Sequence, residues 1–349
     1  MTIPSSPRTV ADAPVAVIGA GLSGLSCAQA LLQAGHAVHV FDKSRGPSGR
    51  MSTRRGEDPA GPWQCDHGVS CFTASTPEFR AELARWQKEG VAARWDARLA
   101  RLEGAAWTAP ATPQACFVGT PRMTSPAGWL AEGLRLAGDR ALAQWQTTVQ
   151  RLERHGDGWT LTSAEHGPHA VRYGTVLLAV PAPQAVPLLQ AAAPAAVSVA
   201  AGARMRGSWA VMVRCTAPVD LPCDGAFIHG GPLRWIARDS SKPGRTAPAG
   251  TETWLLHASP EWSEAYIEDE PGSVAASLLA AFHALGGPAP AHVQATAHRW
   301  RYADTAPALT IGHWWNADHR VGMCGDWLHG GQVEGAWLSG RSLARAVAG

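Results

Sequence analysis

Apolar positions fall into short runs and helical stripes that can be read in order along the chain. Val15-Ala16-Val17-Ile18 is an apolar run closed by glycine, and Leu25, Ala28, Leu31 and Leu32 then place apolar or small side chains at helical spacing between Leu22 and Ala34. The pattern predicts a buried strand, a tight turn and a helix, followed by a second strand at Val38-His39-Val40-Phe41. Farther on, Thr148–Leu152, Trp159–Thr162 and Thr175–Pro181 read as strands, and an Ala/Pro-rich helical stretch lies between Pro181 and Arg204. From Ser208 to His257 β-patterned runs such as Trp209-Ala210-Val211-Met212-Val213 alternate with Pro/Gly turns, and a helix spans about Val274 to Ala284. The chain closes with a short strand, Val321 to Cys324, a Gly325-Asp326 turn, and a helix from Gln332 to Ala348 with Val333, Ala336, Leu343 and Val347 on or near one face.

Strands alternating with helices at both ends and a β-rich middle predict an α/β protein. At 349 residues the chain is long for one core and suits two domains. Thirty basic and 28 acidic residues give a net charge of +2, which offers no electrostatic case for nucleic acid. No apolar stretch approaches the ~18 residues of a membrane span, and Met1 to Pro14 is polar and Pro-containing, unlike a secretory signal. A disordered lead-in over 1–13 and a cytoplasmic location are the expectation. Seven scattered cysteines without a Cys-x-x-Cys pair indicate neither a disulfide framework nor a zinc site, so buried free thiols and no metal are expected.

The first turn carries candidate chemistry. Gly19-x-Gly21-x-x-Gly24 sits between strand and helix, where the glycines allow a tight turn, close approach of a pyrophosphate, and close helix packing. Leu22 and Ser23 complete the turn, and Asp42, at the end of the second strand, falls where a carboxylate takes ribose hydroxyls and repels a 2′-phosphate. FAD or NAD is therefore favoured over NADP. The following segment, Lys43 to Arg55, is glycine-rich with five cations and no acid, as suits a loop around a pyrophosphate and flavin. At the other end, Asp326 can accept hydrogen bonds from a ribityl chain, while the first amides of the last helix, at Gln332 and Val333, suit a flavin pyrimidine carbonyl.

The run Asp42-Lys43-Ser44-Arg45-Gly46-Pro47-Ser48-Gly49-Arg50-Met51 resembles the Arg-x-Gly-Gly-Arg loop of the flavin-dependent amine oxidase superfamily, and within it the bacterial renalase-like oxidoreductases, with Ser48 in place of the first glycine of the pair. Asp66-His67-Gly68-Val69-Ser70-Cys71-Phe72 is similar to the family's segment beside the flavin. Gly119 to Met123 resembles its entry to a domain-crossing helix, and His298 to Ala303, Val321 to Trp327 and Gly330 to Gly340 resemble its C-terminal block. The resemblance implies a Rossmann-type FAD-binding domain, discontinuous over 14–75, 140–190 and 296–349, with an α+β substrate domain over 76–139 and 191–295, in a p-hydroxybenzoate-hydroxylase-like architecture. Among the residues it implies at the cofactor are Lys43, Arg45, Gly49, Arg50, Met51, His67, Gly68, Val149, Trp300 and Gly325. FAD is expected to be non-covalent, because Cys324 lacks the Ser-Gly-Gly-Cys context of flavinylated relatives.

No second glycine fingerprint is present for a separate NAD(P)H domain, so the donor itself is expected to reduce the flavin at N5, with O2 reoxidation giving H2O2. Resemblance to bacterial renalases implies isomeric (2- or 6-) dihydroNAD(P) as donor. An amine oxidase or desaturase of the same superfamily, and a non-catalytic flavin-binding redox sensor, remain open. Substrate-facing candidates are His67, Trp235, His257, Trp300 and His329, with Trp300 the exception among sixteen tryptophans that otherwise read as packing residues.

Overall fold

A computed structural model describes residues 13–59, 61–110 and 115–349; the lead-in over 1–13 lies almost wholly outside them. The chain divides into two compact units: unit 1 comprises the chain up to Gly49, Ala127–Arg204 and Thr305–Gly349, and unit 2 comprises Arg50–Pro126 and Met205–Asp304. The segment 50–75, which the sequence reading places in the first domain, packs within unit 2.

Unit 1 is built on a six-stranded sheet. Its order is Trp314–Asn316, Val321–Met323, Thr175–Leu178, Val15–Ile18, Val38–Phe41 and Ala141–Gln144, parallel except for the first of these. The central strand Val15–Ile18 is buried along its length, as a parallel strand covered on both faces requires. The helices Leu22–Gln33 and Gln332–Ala348 pack together, with Ser26 Oγ donating to Trp337 O at 3.0 Å. The last helix buries a stripe different from the expected one: Gly335, Trp337, Ser339 and Gly340 are buried beside Val333 and Leu343, whereas Ala336 and Val347 are half-buried. The cause is steric. A Cβ on Gly340 would collide with Ser23 O and Ser26 Oγ, so small residues rather than large apolar ones mark the contact face.

Between Pro181 and Arg204 the helical stretch is two short helices, Ala182–Leu189 and Pro194–Ala201. The basic segment is not one loop. Lys43 to Gly49 stays in unit 1, where Ser48 N donates to Ala20 O at 3.0 Å, and Arg54 opens a hairpin of Arg54–Asp58 with Gly61–Cys65 in unit 2. Ser48 itself takes φ +130°, a region that favours glycine, so the residue that departs from the double-glycine pattern adopts a glycine-like backbone.

Unit 2 centres on a seven-stranded sheet in the order Val293–Thr305, Met205–Cys215, Glu252–Ala258, Leu233–Arg238, Gly225–His229, Leu99–Glu103 and Ala106–Thr108. One face carries Trp209, Val211, Ile236, Trp254 and Leu256, packed in one core with Leu278 and Phe282 of the helix Pro271–Ala284. The opposite face is set by register: Phe227 pairs with Trp235, Trp235 with His257, and His257 with Ala210, forming a cross-strand row. Among the described residues, no helix is long and apolar enough to cross a membrane.

Candidate functional site

The Gly19 to Gly24 turn of unit 1 explains each glycine differently. Gly19 has φ +107°, and a Cβ there would meet the Ala179 carbonyl; a Cβ on Gly24 would run into Gly19 O. Gly21, by contrast, has an ordinary extended backbone, φ −69° and ψ 174°, and a Cβ there would meet nothing within 4 Å. The fold does not need glycine at this position, and the open space leaves room for a ligand to approach the backbone.

Two further observations agree. The helix Leu22–Gln33 has no side-chain cap and no acid in its first turn, leaving its N–H groups and positive dipole end available to an anion. Ser23 Oγ in that turn is buried and, among the described residues, has no hydrogen-bond partner. Asp42 ties the turn to the next strand, its Oδ2 accepting from Ala20 N at 2.6 Å and its Oδ1 from Ser44 N at 2.7 Å. Each carboxylate oxygen keeps a further lone pair for a hydroxyl. These residues fit a dinucleotide such as FAD.

The other unit 1 candidates occupy separate elements. Val149 is buried at the start of the strand Val149–His155. Gly325 and Asp326 follow the strand Val321–Met323, and the Asp326 carbonyl accepts from His329 N at 2.9 Å and Gly331 N at 2.8 Å. Gln332 and Val333 open the last helix, which also lacks a side-chain cap. Lys43 and Arg45 are exposed. Cys324 is fully buried and hydrogen-bonded with Cys27.

Unit 2 gathers a second group. His67, His298 and Trp300 form an aromatic cluster: the His67 ring stacks on Trp300 at 5.2 Å and 27°, and His298 meets both edge-on at 4.6 Å. His298 and Trp300 are two apart on one strand and so share a face. The His67 carbonyl accepts from Trp300 Nε1 at 2.9 Å and from His257 Nε2 at 3.4 Å, which holds the loop against the sheet. Gly68 permits this approach, since a Cβ there would collide with Arg50 O and stand 3.2 Å from the Trp300 ring. Arg50 in turn donates to Ala303 O at 3.0 Å, while Met51 is buried. His67 Nδ1 and Trp235 Nε1 are buried without hydrogen-bond partners among the described residues. His67, His257, Trp300 and Trp235 thus belong to unit 2, whereas His329 belongs to unit 1.

Beneath the His67 loop lies a feature that the sequence reading missed. Asp66, Asp239, Lys242 and Arg245 are all essentially excluded from solvent. Lys242 Nζ is 3.1 Å from Asp66 Oδ2 and 2.5 Å from Asp239 Oδ1, and Arg245 also pairs with Asp66. Asp66 Oδ1 further accepts from Thr53 Oγ1 at 2.7 Å and Met123 N at 3.2 Å. Two anions and two cations balance, as buried charges must. Burial pushes the Asp66 carboxyl upward, but Lys242 and Arg245 outweigh it and hold the group below its ordinary range. Burial, with Asp66 beside it, leaves Asp239 raised.

Burial lowers the His67 pKa from 6.5 to about 4, aided by His298 and Arg54, and lowers His257 to about 3, aided by Arg234. Both rings are therefore neutral near pH 7 and act as planar hydrogen-bonding groups rather than cations. As pH falls below 6.5 the unfolded chain binds protons that these folded rings refuse. Stability fully present above that pH should decline by up to ~1.4 kcal/mol per pH unit for each histidine. Urea midpoints between pH 7.5 and 4.5 should show this decline and a flatter slope in His257→Asn; identical slopes would assign the acid limb elsewhere.

Comparison with known proteins bears on these sites. Residues 17–86 match the family described as an NAD(P)-binding Rossmann-like domain. Over nearly the whole length, the structure is similar to cyclohexylamine oxidase from Brevibacterium oxydans IH-35A, at 14% identity, with 97% of this chain and 99% of that chain covered and a TM-score of 0.70. It is likewise similar to an oxidoreductase from Methanosarcina mazei, at 12% identity, 95% and 100% coverage and a TM-score of 0.71. Putrescine oxidase bound to putrescine matches at 13% identity, 96% and 98% coverage and a TM-score of 0.67. At such identities the likeness is one of architecture, and on that ground the chain has the fold of the FAD-dependent amine oxidases, with a Rossmann-like dinucleotide-binding region at its start.

Proposed function

We propose that this protein is an FAD-dependent oxidoreductase that takes a hydride from a small planar donor. The open space at Gly21, which the fold itself does not require, carries the cofactor assignment. Unit 1 would hold FAD non-covalently. The uncapped helix and Ser23 Oγ receive the pyrophosphate, Asp42 the ribose, Val149 the adenine side, and Asp326 with the Gln332–Val333 amides the ribityl and pyrimidine end. When bound, FAD supplies hydride acceptance at N5 and reoxidation by O2 with release of H2O2.

The donor is assigned to the Trp300–His67 wall of unit 2. Its stacked rings are flat, and its histidines are uncharged near pH 7, so it orients a planar ring without adding a cation. His67 Nδ1 and Trp235 Nε1 are available for polar edges of the donor. Isomeric 2- or 6-dihydroNAD(P) fits this reading, because such a dihydropyridine needs orientation and no base. The likeness to cyclohexylamine and putrescine oxidases favours a second reading, oxidation of a primary amine.

Anaerobic stopped-flow mixing with 2-, 4- and 6-dihydronicotinamide dinucleotides and with primary amines separates the two. Fast flavin bleaching by the 2- or 6-isomer, slow bleaching by 4-dihydro NADH, and a larger rate loss in Trp300→Ala than in His67, His257 or His329 variants are expected. Rapid reduction by amines alone would establish the second reading, and reduction by no donor would favour a flavin-binding sensor.

A further inference from the structure

Of the seven cysteines, Cys71 and Cys116 stand out by position, with their sulfurs 3.3 Å apart in unit 2. The residues that follow them lock the two backbones together. Phe72 N donates to Phe117 O at 2.9 Å, and Phe117 N to Phe72 O at 2.8 Å, so the spacing of the thiols is fixed by a paired bridge rather than by a mobile loop. A disulfide bond is about 2.05 Å long, so closing the pair needs the two sulfurs to approach by about 1.3 Å. Cys71 is partly exposed and offers a small oxidant access, whereas the other close pair, Cys27 and Cys324, is fully buried.

We propose that Cys71 and Cys116 form a reversible dithiol–disulfide site that a hydroperoxide oxidises. One thiolate attacks the peroxide, breaking the O–O bond to give a sulfenic acid and hydroxide, which takes up a proton as water. The second thiol then displaces the sulfenic oxygen as a second water and forms the S–S bond. In sum, two thiols and one H2O2 give one disulfide and two waters, with two electrons passing from sulfur to oxygen. The Cys71 thiol donates to Cys116 and holds the latter below its ordinary pKa, with the Lys242 charge acting in the same direction, so the thiolate is favoured at Cys116, while the same hydrogen bond and burial raise Cys71 and leave it the thiol that closes the bond.

The cross-link would have a structural consequence. Cys71 lies four residues beyond His67 on the loop pinned by Asp66, and Cys116 lies on the strand Cys116–Gly119, whose Gly119 carbonyl accepts from Arg245 at 2.8 Å. Oxidation therefore ties the His67 loop covalently to the strand that also anchors the buried charge cluster.

Added H2O2 tests this without relying on the flavin assignment. The full chain is treated with increasing peroxide, blocked with N-ethylmaleimide, digested and mapped by mass spectrometry, with a dithiothreitol-reversed sample alongside. Thiols should fall from seven to five, the linked peptide should join Cys71 to Cys116, and reductant should restore all seven. The oxidised protein should melt at a higher temperature than the reduced one, and Cys71→Ser should abolish the shift and leave a dimedone-trappable sulfenic acid at Cys116. Two free thiols at these positions after peroxide treatment, a link to a different cysteine, or direct passage to sulfinic acid without a disulfide would overturn the proposal.

Discussion

Gly21→Val is expected to purify as a folded protein that retains no FAD. The backbone at Gly21 is extended and a Cβ there would meet nothing within 4 Å beyond its chain neighbours, so the substitution should change stability by no more than about 0.5 kcal/mol, as at an unconstrained surface site. The valine methyls would occupy the approach of the pyrophosphate to the helix terminus. Losing two charge-assisted hydrogen bonds at about 1.5–3 kcal/mol each weakens affinity by roughly 10²- to 10⁴-fold. Flavin absorbance of the purified variant, read beside its thermal melting curve, checks both halves. Full flavin content would remove the cofactor assignment, and a collapse in melting temperature would show that Gly21 serves the fold after all.

The second large effect belongs to the buried ion cluster. Lys242→Met keeps much of the side-chain volume but leaves Asp66 and Asp239 with Arg245 as the remaining cation of the four-residue group. Removing one partner of a buried ionic group costs about 3–5 kcal/mol, because the surviving charge stays desolvated. The loss should be largest at alkaline pH. Asp239 is already raised by burial and by Asp66, and without Lys242 it rises further. A carboxyl whose folded pKa exceeds its unfolded value binds its proton more tightly when folded, so the penalty shrinks as pH falls through the folded pKa. Urea unfolding of Lys242→Met and of Lys242→Met/Asp239→Asn at pH 8 and pH 5.5 tests this. The double variant should regain part of the loss at pH 8, and equal penalties at both pH values would show that no uncompensated carboxylate is left behind.

The His67 loop, and with it the proposed donor wall, depends on that cluster. Asp66 N donates to Asp239 Oδ1 at 3.2 Å, and the next residue presents its carbonyl to Trp300 and its ring to the stack. Weakening the cluster should therefore disturb the wall as well as stability.

Local chemistry was legible wherever its cause was local. The buried run Val15–Ile18, the turn glycines Gly19 and Gly24, Asp42 and the last helix at Gln332–Ala348 follow from periodicity and turn sterics within a few residues of one another. Even there the buried face of the last helix escaped the apolar pattern, because Gly340 marks a close approach to Ser23 and Ser26, more than 300 residues earlier. His298 was missed because its significance comes from sharing a strand face with Trp300 beneath the loop of His67. The Asp66–Lys242 pair is 176 residues apart and the Cys71–Cys116 pair 45 apart. No local period records such partnerships. The sequence by itself determined which segments could bury a face and where a turn could admit a dinucleotide. Only the tertiary structure decided which charges, rings and thiols meet, because that depends on strand order and register, and a one-residue shift of register would turn each side chain to the other face.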